Sequence, residues 1–271
     1  MKLLMCPPDH FDVTYEINAW MRIAARPDAA LAGRQWRALH TLLTDELGAD
    51  VALVSPQESL PDMVFTANAG LVSGRTFVPS RFRFAERQGE VPHFVRWFSD
   101  HGYTIRPLPQ EAVGAFEGEG DALFYGDVLL GGYRQRTEVS IYGALGAMLG
   151  VPVLPLELTQ PHWYHLDTCL FPLGPDLLAY YPGAFGEDAR RALKRLPGDK
   201  ILLTEPDARR FGGNAVVVGR HVVLNTGCDV LADALHAHGF TVHPLDLSEF
   251  LLSGGSAKCL TLHLDHSNPI A

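Results

Sequence analysis

With 271 residues, 47% hydrophobic and 20% charged, the chain lies in the globular range and is long enough for one large domain or two small ones. No apolar run approaches the roughly 18 residues that cross a bilayer, and MKLLMCPPDHF at the N-terminus has only a short apolar stretch before two prolines. An unprocessed, soluble, cytoplasmic protein is therefore expected. The net charge of −9 is spread without long blocks of one sign, which argues against nucleic acid or an anionic membrane as partner and is compatible with a small cationic ligand.

The predicted elements repeat along the chain. A helix over 29–47 places Leu31, Trp36, Leu39, Leu43 and Leu47 on one face and ends at Gly48, which leads into a short apolar strand. Asn68 then opens two strands that turn at a glycine, a helix over 91–101 follows, and Gly102 leads into another strand. The same order recurs from Asp121 with a helix over 137–149 and Gly150, from Asp167 with a helix over 187–196 and Gly198, and from Asn214 with a helix over 229–238 and Gly239. Lys258-Cys259 opens the last strand. The helix-end glycines are 54, 48, 48 and 41 residues apart and the polar openers 53, 46, 47 and 44, a periodicity that marks an array or a propeller. The unit is strand, strand, helix, strand, and no linker or shift in composition divides residues 1–271, so a single domain is expected. If the array closes into a ring, one polar side chain from each repeat meets the others at the centre. The arginine-rich stretch 79–88 reads as a surface loop.

Several residues carry candidate chemistry. Cys6, Cys169, Cys228 and Cys259 form no CxxC pair, which predicts free thiols and neither a disulfide framework nor a cysteine zinc site. Cys259 ends Ser253-Gly-Gly-Ser-Ala-Lys-Cys259, where two glycines bring backbone close to the thiol; it is either a nucleophile or a buried structural thiol. Cys169 lies within an apolar strand and reads as core. His165 precedes Asp167 by two positions, so on an extended chain the two side chains share a side, either as an acid/base pair or as a surface ion pair. His263 and His266 lie on a strand and a tail rather than on one helix face, which argues against a metal site with His165; no metal and no cofactor is expected. Phe116-Glu-Gly-Glu-Gly-Asp121 holds three carboxylates, as a solvated turn or with Asp121 turned to the ring centre. Arg136, in preference to Arg134, has the guanidinium fork that suits a carboxylate.

Together, Phe65-Thr-Ala-Asn-Ala-Gly70, Phe116-Glu-Gly-Glu-Gly-Asp121, Gly132-Tyr-Arg-Gln-Arg-Thr137, His165-Leu-Asp-Thr168 and Gly254-Gly-Ser-Ala-Lys-Cys-Leu-Thr261 resemble the guanidine-modifying, or amidinotransferase, superfamily across almost the whole chain. The resemblance implies an α/β fold, a five-bladed pseudo-symmetric propeller of ββαβ units known as the pentein fold. It also implies a cysteine-dependent hydrolase of a guanidino compound, L-arginine or a close relative. Carried onto this sequence, it makes Cys259 the nucleophile, His165 the general acid/base and Glu117 the guanidinium anchor. Asp167 and Asn68 become guanidinium ligands and Arg136 a ligand of the substrate carboxylate; Asp121 and Glu119 are also expected to bind substrate, with Arg81 as a second carboxylate contact and Asn18 near the amino-acid end.

Two departures from the deiminase pattern stand out. Phe65-Thr-Ala-Asn68 replaces Phe-Thr-Arg-Asp and looks like the dihydrolase branches, which remove both guanidine nitrogens as ammonia. Glu-Gly-Gly-Asp is lengthened by one residue, so that Glu117 is preferred over Glu119 because it keeps the Glu-Gly pair. The expected activity is therefore arginine dihydrolase, giving ornithine, ammonia and carbon dioxide. The alternatives are dimethylarginine dimethylaminohydrolase, an arginine deiminase giving citrulline, or a non-catalytic scaffold of the same fold. The oligomeric state stays open, a homo-oligomer included.

Overall fold

The computed structural model describes residues 1–265. In chain order the elements are β1 (Lys2–Met5), α1 (Ala29–Thr41), β2 (Asp50–Leu53), β3 (Gly70–Ser73), β4 (Thr76–Pro79), α2 (Ala85–Gln88), α3 (Val91–Asp100) and β5 (Thr104–Ile105). Then come β6 (Ala122–Tyr125), β7 (Val128–Tyr133), α4 (Ile141–Leu149), β8 (Val153–Glu157), β9 (Leu170–Pro172), β10 (Leu177–Tyr180), α5 (Glu187–Arg195) and β11 (Asp199–Leu202). The last are α6 (Glu205–Arg209), β12 (Val216–Val218), β13 (His221–Asn225), α7 (Asp229–Ala237), β14 (Thr241–Leu245), α8 (Ser248–Leu251) and β15 (Leu262–His263).

The strands form five three-stranded sheets, β3-β4-β5, β6-β7-β8, β9-β10-β11, β12-β13-β14 and β15-β1-β2. In each, an antiparallel pair is followed through a helix by a strand parallel to the middle one, so the unit is ββαβ. The fifth sheet is made from both ends of the chain: Leu3 pairs with His263, and the parallel partner of β1 is β2. The first strands and the turns above them touch their counterparts in the next sheet, so these strands line the axis of a five-bladed propeller.

Local chemistry explains the repeats. Gly48, Gly102, Gly150, Gly198 and Gly239 all have positive φ, between 66° and 81°, the left-handed conformation that reverses the chain out of a helix and that glycine adopts without a Cβ penalty. The helices bury one face between their own blade and the one before it, as Ala189 and Leu193 of α5 do among Leu156 of β8 and Tyr180 of β10; Phe94 and Phe98 of α3 are fully buried, and Phe98 stacks on Phe77 of β4 at 3.7 Å between centroids.

Three expectations differ from the structure in instructive ways. The helix expected over 29–47 is α-helical only to Thr41, after which Leu42–Glu46 widens into a π turn and both Leu42 and Leu43 are buried. The helix expected from 137 begins at Ile141, because Thr137 is held outside it: its N–H donates to Asp121 and its hydroxyl accepts from the Glu117 N–H. Within 79–88, Ser80, Phe82 and Arg87 are buried rather than exposed, and Arg81 bridges to Phe116. Among the described residues no helix is long and apolar enough to cross a membrane.

Candidate active site

Of the five polar openers, Asn68, Asp167 and Asn214 lie in or beside the turns above the first strands, whereas Asp121 is bound by the Leu166 and Thr137 N–H groups and Lys258 by Glu119, so that Glu117 and Cys259 beside them stand in their place. Asn68 lies in the short 3-10 turn Thr66–Ala69 above β3, Glu117 just before the turn Gly118–Gly120 above β6, and Asp167 in the turn Leu166–Thr168 above β9. Asn214 precedes β12 and Cys259 precedes β15. Asn68, Glu117, His165, Asp167, Asn214 and Cys259 are all buried. Neighbouring turns approach so closely that side chains are excluded: a Cβ on Gly118, at φ 60°, would lie 2.6 Å from the Gly70 carbonyl oxygen, and one on Gly120 would overlap the Asn68 amide.

Glu117 is the hub of the first cluster. Its Oε2 takes His165 Nε2 at 2.7 Å and Arg136 Nη1 at 2.9 Å, while Oε1 accepts the Arg83 N–H at 3.1 Å. Burial alone would raise this carboxyl, but Arg136, His165 and Arg87 outweigh it and hold it well below the usual carboxylate range. Burial pushes His165 down to about 4 against the pull of Glu117, so the imidazole is neutral at physiological pH and donates from Nε2. Its Nδ1 is buried without a hydrogen-bond partner among the described residues, which leaves a lone pair there as a base.

The sequence suggested Asp167 as the carboxylate beside His165. The structure pairs the histidine with Glu117 of the preceding blade instead, because His165 ends an extended stretch while Asp167 lies in the following 3-10 turn. Arg136 also has an unexpected neighbour: it sits on Glu117 with its Nη2 on the Ile17 carbonyl at 2.9 Å and its guanidinium between the rings of Phe84 and Tyr164.

The second cluster holds the thiol. Cys259 Sγ donates to Asp167 Oδ2 at 3.4 Å and accepts from Asn214 Nδ2 at 3.1 Å. Burial and then the Asp167 carboxylate push this thiol well above its ordinary value, so the sulfur is protonated rather than a thiolate. Burial raises Asp167 to about 7, moderated by Lys258, and its Oδ1 has no hydrogen-bond partner among the described residues. A buried carboxylate oxygen without a donor is a ready acceptor for a cationic N–H.

Asn68 joins the site through a residue that the sequence placed on the surface. Arg87 Nη1 donates to Asn68 Oδ1 at 2.8 Å, and the rest of the Arg87 fork is bound by Glu90 at 2.7 and 2.8 Å and by the Asp62 carbonyl. The Asn68 amide nitrogen is left toward the ring, 3.5 Å from the Glu117 carbonyl.

The remaining candidates lie around these clusters. Glu119 turns to the other side, where Lys258 Nζ reaches it at 2.7 Å and His263 also donates to it. Asp121 accepts the N–H groups of Leu166 and Thr137, tying two blades together beneath the site. Asn18 donates to the Ser253 carbonyl, and the Arg81 fork is occupied by the carbonyls of Leu108, Pro109, Ala112 and Gly114, away from the two clusters. Cys169 is core, with its thiol on the Leu166 carbonyl. His266 lies outside the described residues, among which no three His, Cys, Asp or Glu side chains are grouped to hold a metal. Two contributors escaped the sequence reading, Arg87 and Asn214; the repeat position of Asn214 was the available signal for the second.

No family model matches the sequence. The chain is 44% identical over 269 residues to a bifunctional arginine dihydrolase/ornithine cyclodeaminase, AgrE, of Nostoc sp., covering 97% of this chain and 38% of that relative's length. It is also 44% identical over 260 residues to the N(G),N(G)-dimethylarginine dimethylaminohydrolase of Mycobacterium tuberculosis, covering 96% of this chain and 84% of the relative. The solved N-terminal domain of ArgZ, an arginine dihydrolase from cyanobacteria, superposes with a TM-score of 0.91 at 43% identity, over 96% of this chain and 97% of that one; it is a cysteine-to-serine variant bound to substrate. An asparagine-to-serine variant of the same domain, covalently bonded to a reaction intermediate, superposes with a TM-score of 0.93 at 42% identity, over 98% of both chains. By this similarity and by its five ββαβ blades, the chain belongs to the arginine dihydrolase and dimethylarginine dimethylaminohydrolase family of the guanidine-modifying superfamily.

Proposed function

We propose that the protein is an arginine dihydrolase, a cysteine-dependent hydrolase that converts L-arginine to ornithine, ammonia and carbon dioxide. The observation that carries it is the meeting, in one buried ring, of the Cys259 thiol, the neutral His165 imidazole and the carboxylates of Glu117 and Asp167. Such a ring suits a planar cation rich in N–H donors. The substrate guanidinium takes the place that the Arg136 guanidinium holds on Glu117, and Arg136 turns to the substrate carboxylate, cation exchanged for cation.

The cation lowers the thiol pKa, and the Cys259 proton passes to His165. The thiolate attacks the guanidine carbon; the tetrahedral adduct collapses as the imidazolium returns its proton to departing ammonia, leaving a thiouronium on sulfur. Water, losing a proton to His165, then adds to that carbon and expels the Cys259 thiolate, giving citrulline. In the second round the thiol adds to the ureido carbonyl and the ornithine amine leaves with a proton. Hydrolysis of the thiocarbamate returns the thiol and yields carbamic acid, which falls to ammonia and carbon dioxide.

The orientation of Asn68 supports the second round. With its oxygen held by Arg87, the amide offers Nδ2–H toward the ring, a donor for the ureido oxygen as negative charge builds on it. The separation between the asparagine replaced in the ArgZ variant that holds a covalent intermediate and the cysteine replaced in its substrate complex is matched within two residues by Asn68 and Cys259, which supports a place for both in the site. Four free, buried cysteines fit a reducing cytoplasm.

The second reading, dimethylarginine hydrolysis, is favoured by the mycobacterial relative. Quantifying ornithine, citrulline and ammonia from arginine, with asymmetric dimethylarginine in parallel, separates the two. Citrulline as the end product from arginine, or turnover of dimethylarginine alone, overturns the dihydrolase assignment.

A further inference from the structure

We propose that Asn214 is a positioning residue for the nucleophile, holding the Cys259 sulfur in place and offering it a side-chain N–H that favours its ionised form. The proposal rests on the reading of Cys259 as the reacting thiol.

Asn214 is fully buried and its amide is saturated. One Nδ2 proton goes to the Asp167 carbonyl at 2.8 Å and the other to Cys259 Sγ at 3.1 Å; Oδ1 accepts the N–H groups of Ser256 at 3.0 Å and Cys259 at 3.1 Å. All four hydrogen-bonding positions of the amide are used. A flipped amide would set oxygen against the Asp167 carbonyl and NH2 against two N–H groups, so the orientation is dictated by its surroundings. The same side chain therefore fixes the backbone of the nucleophile's loop, the sulfur, and the turn that carries Asp167.

The consequence is electrostatic as well as geometric. Among the described residues two side chains are hydrogen-bonded to the sulfur, of which Asp167 favours the thiol and Asn214 the thiolate. An N–H to anionic sulfur is charge-assisted and stronger than the same bond to a thiol. Asn214 thus stabilises the state that forms when the cation arrives, without touching the substrate itself.

The test is the pH dependence of Cys259 alkylation by iodoacetamide, with Cys259→Ala as background for the other three cysteines, alongside the pH profile of arginine turnover. Asn214→Ala is expected to move the alkylation midpoint alkaline by about one pH unit, and Asn214→Asp, which adds an acceptor beside the sulfur, by more; near neutral pH this is about a tenfold or greater loss in thiolate and in kcat, with KM little changed. Midpoints equal to wild type in both variants, with kcat lowered only by loss of folded protein, overturn the proposal. Should both variants fail to fold, the side-chain amide resonances of Asn214 in the wild-type protein decide it: they are expected to titrate with the alkylation midpoint of Cys259, and resonances that ignore that midpoint reject it. Alkylation reports on the sulfur without turnover, so loss of the dihydrolase reading leaves this test intact.

Discussion

Arg87 donates from Nη1 to the side-chain oxygen of Asn68 at 2.8 Å, and because a guanidinium has no acceptor, that single bond decides which end of the Asn68 amide faces the ring. The amide nitrogen is turned to the Glu117 carbonyl, and under the proposed function the acceptors for a guanidinium are Glu117 and Asp167.

Asn68→Asp removes this donor. The aspartate still binds Arg87, but its second oxygen faces the ureido oxygen as acceptor against acceptor, a cost on the order of 1–3 kcal/mol, or roughly a five- to hundredfold slowing of the second hydrolysis. Citrulline is expected to accumulate from arginine in the variant and not in the wild type. An unchanged ratio of citrulline to ornithine means that Asn68 does not permit the second round.

Cys259→Ser or Cys259→Ala is expected to lower arginine turnover by at least about a thousandfold with the fold retained, since a hydroxyl has no comparable anion near neutral pH. Circular dichroism and product assays check both halves. Appreciable activity in the alanine variant ends the thiol mechanism, and a trapped adduct on Cys169 identifies a different nucleophile.

Arg136→Ala separates two roles. If Arg136 leaves Glu117 for the substrate carboxylate, the variant loses about 2–5 kcal/mol of transition-state binding with arginine and much less with agmatine, which lacks the carboxylate. Equal losses in kcat/KM for both compounds assign Arg136 to supporting Glu117 alone.

Asp167→Asn sets stability against activity. Burial raises the folded-state pKa of Asp167 from 3.8 to about 7, so the folded state binds the proton more tightly and stability falls as pH climbs through that window. The variant, with nothing to ionise there, is expected to gain up to about 4 kcal/mol over wild type at pH 8 and little at pH 4, while losing turnover. Urea unfolding at both pH values measures it; a gain independent of pH contradicts the raised carboxyl.

The repeats are legible in the sequence because their signals are local: a glycine at positive φ after each helix, and a short polar residue before each strand pair. Relations between blades are not local. Whether His165 finds Asp167 or Glu117 depends on how one turn sits beside the next, and two residues of separation along the chain do not report it. Arg87 hides for a similar reason. In an arginine-rich segment it reads as solvated, and only Glu90, Asp62 and Asn68 around it make burial of its charge tolerable. The sequence separates Glu117 from Glu119 only by a motif preference, whereas the turn between them sends one to His165 and the other to Lys258.

The blade shared by β1 and β15 gives the molecule a temporal order. Leu3 pairs with His263, and Cys259 lies just ahead of that final strand. On the ribosome, Glu117 and Asp167 are therefore made long before Cys259, and one edge of β1 waits unpaired until β15 has emerged. A chain stopped before Cys259 carries the acidic half of the ring without its thiol, so under the proposed function reactivity is switched on as the ring is sealed.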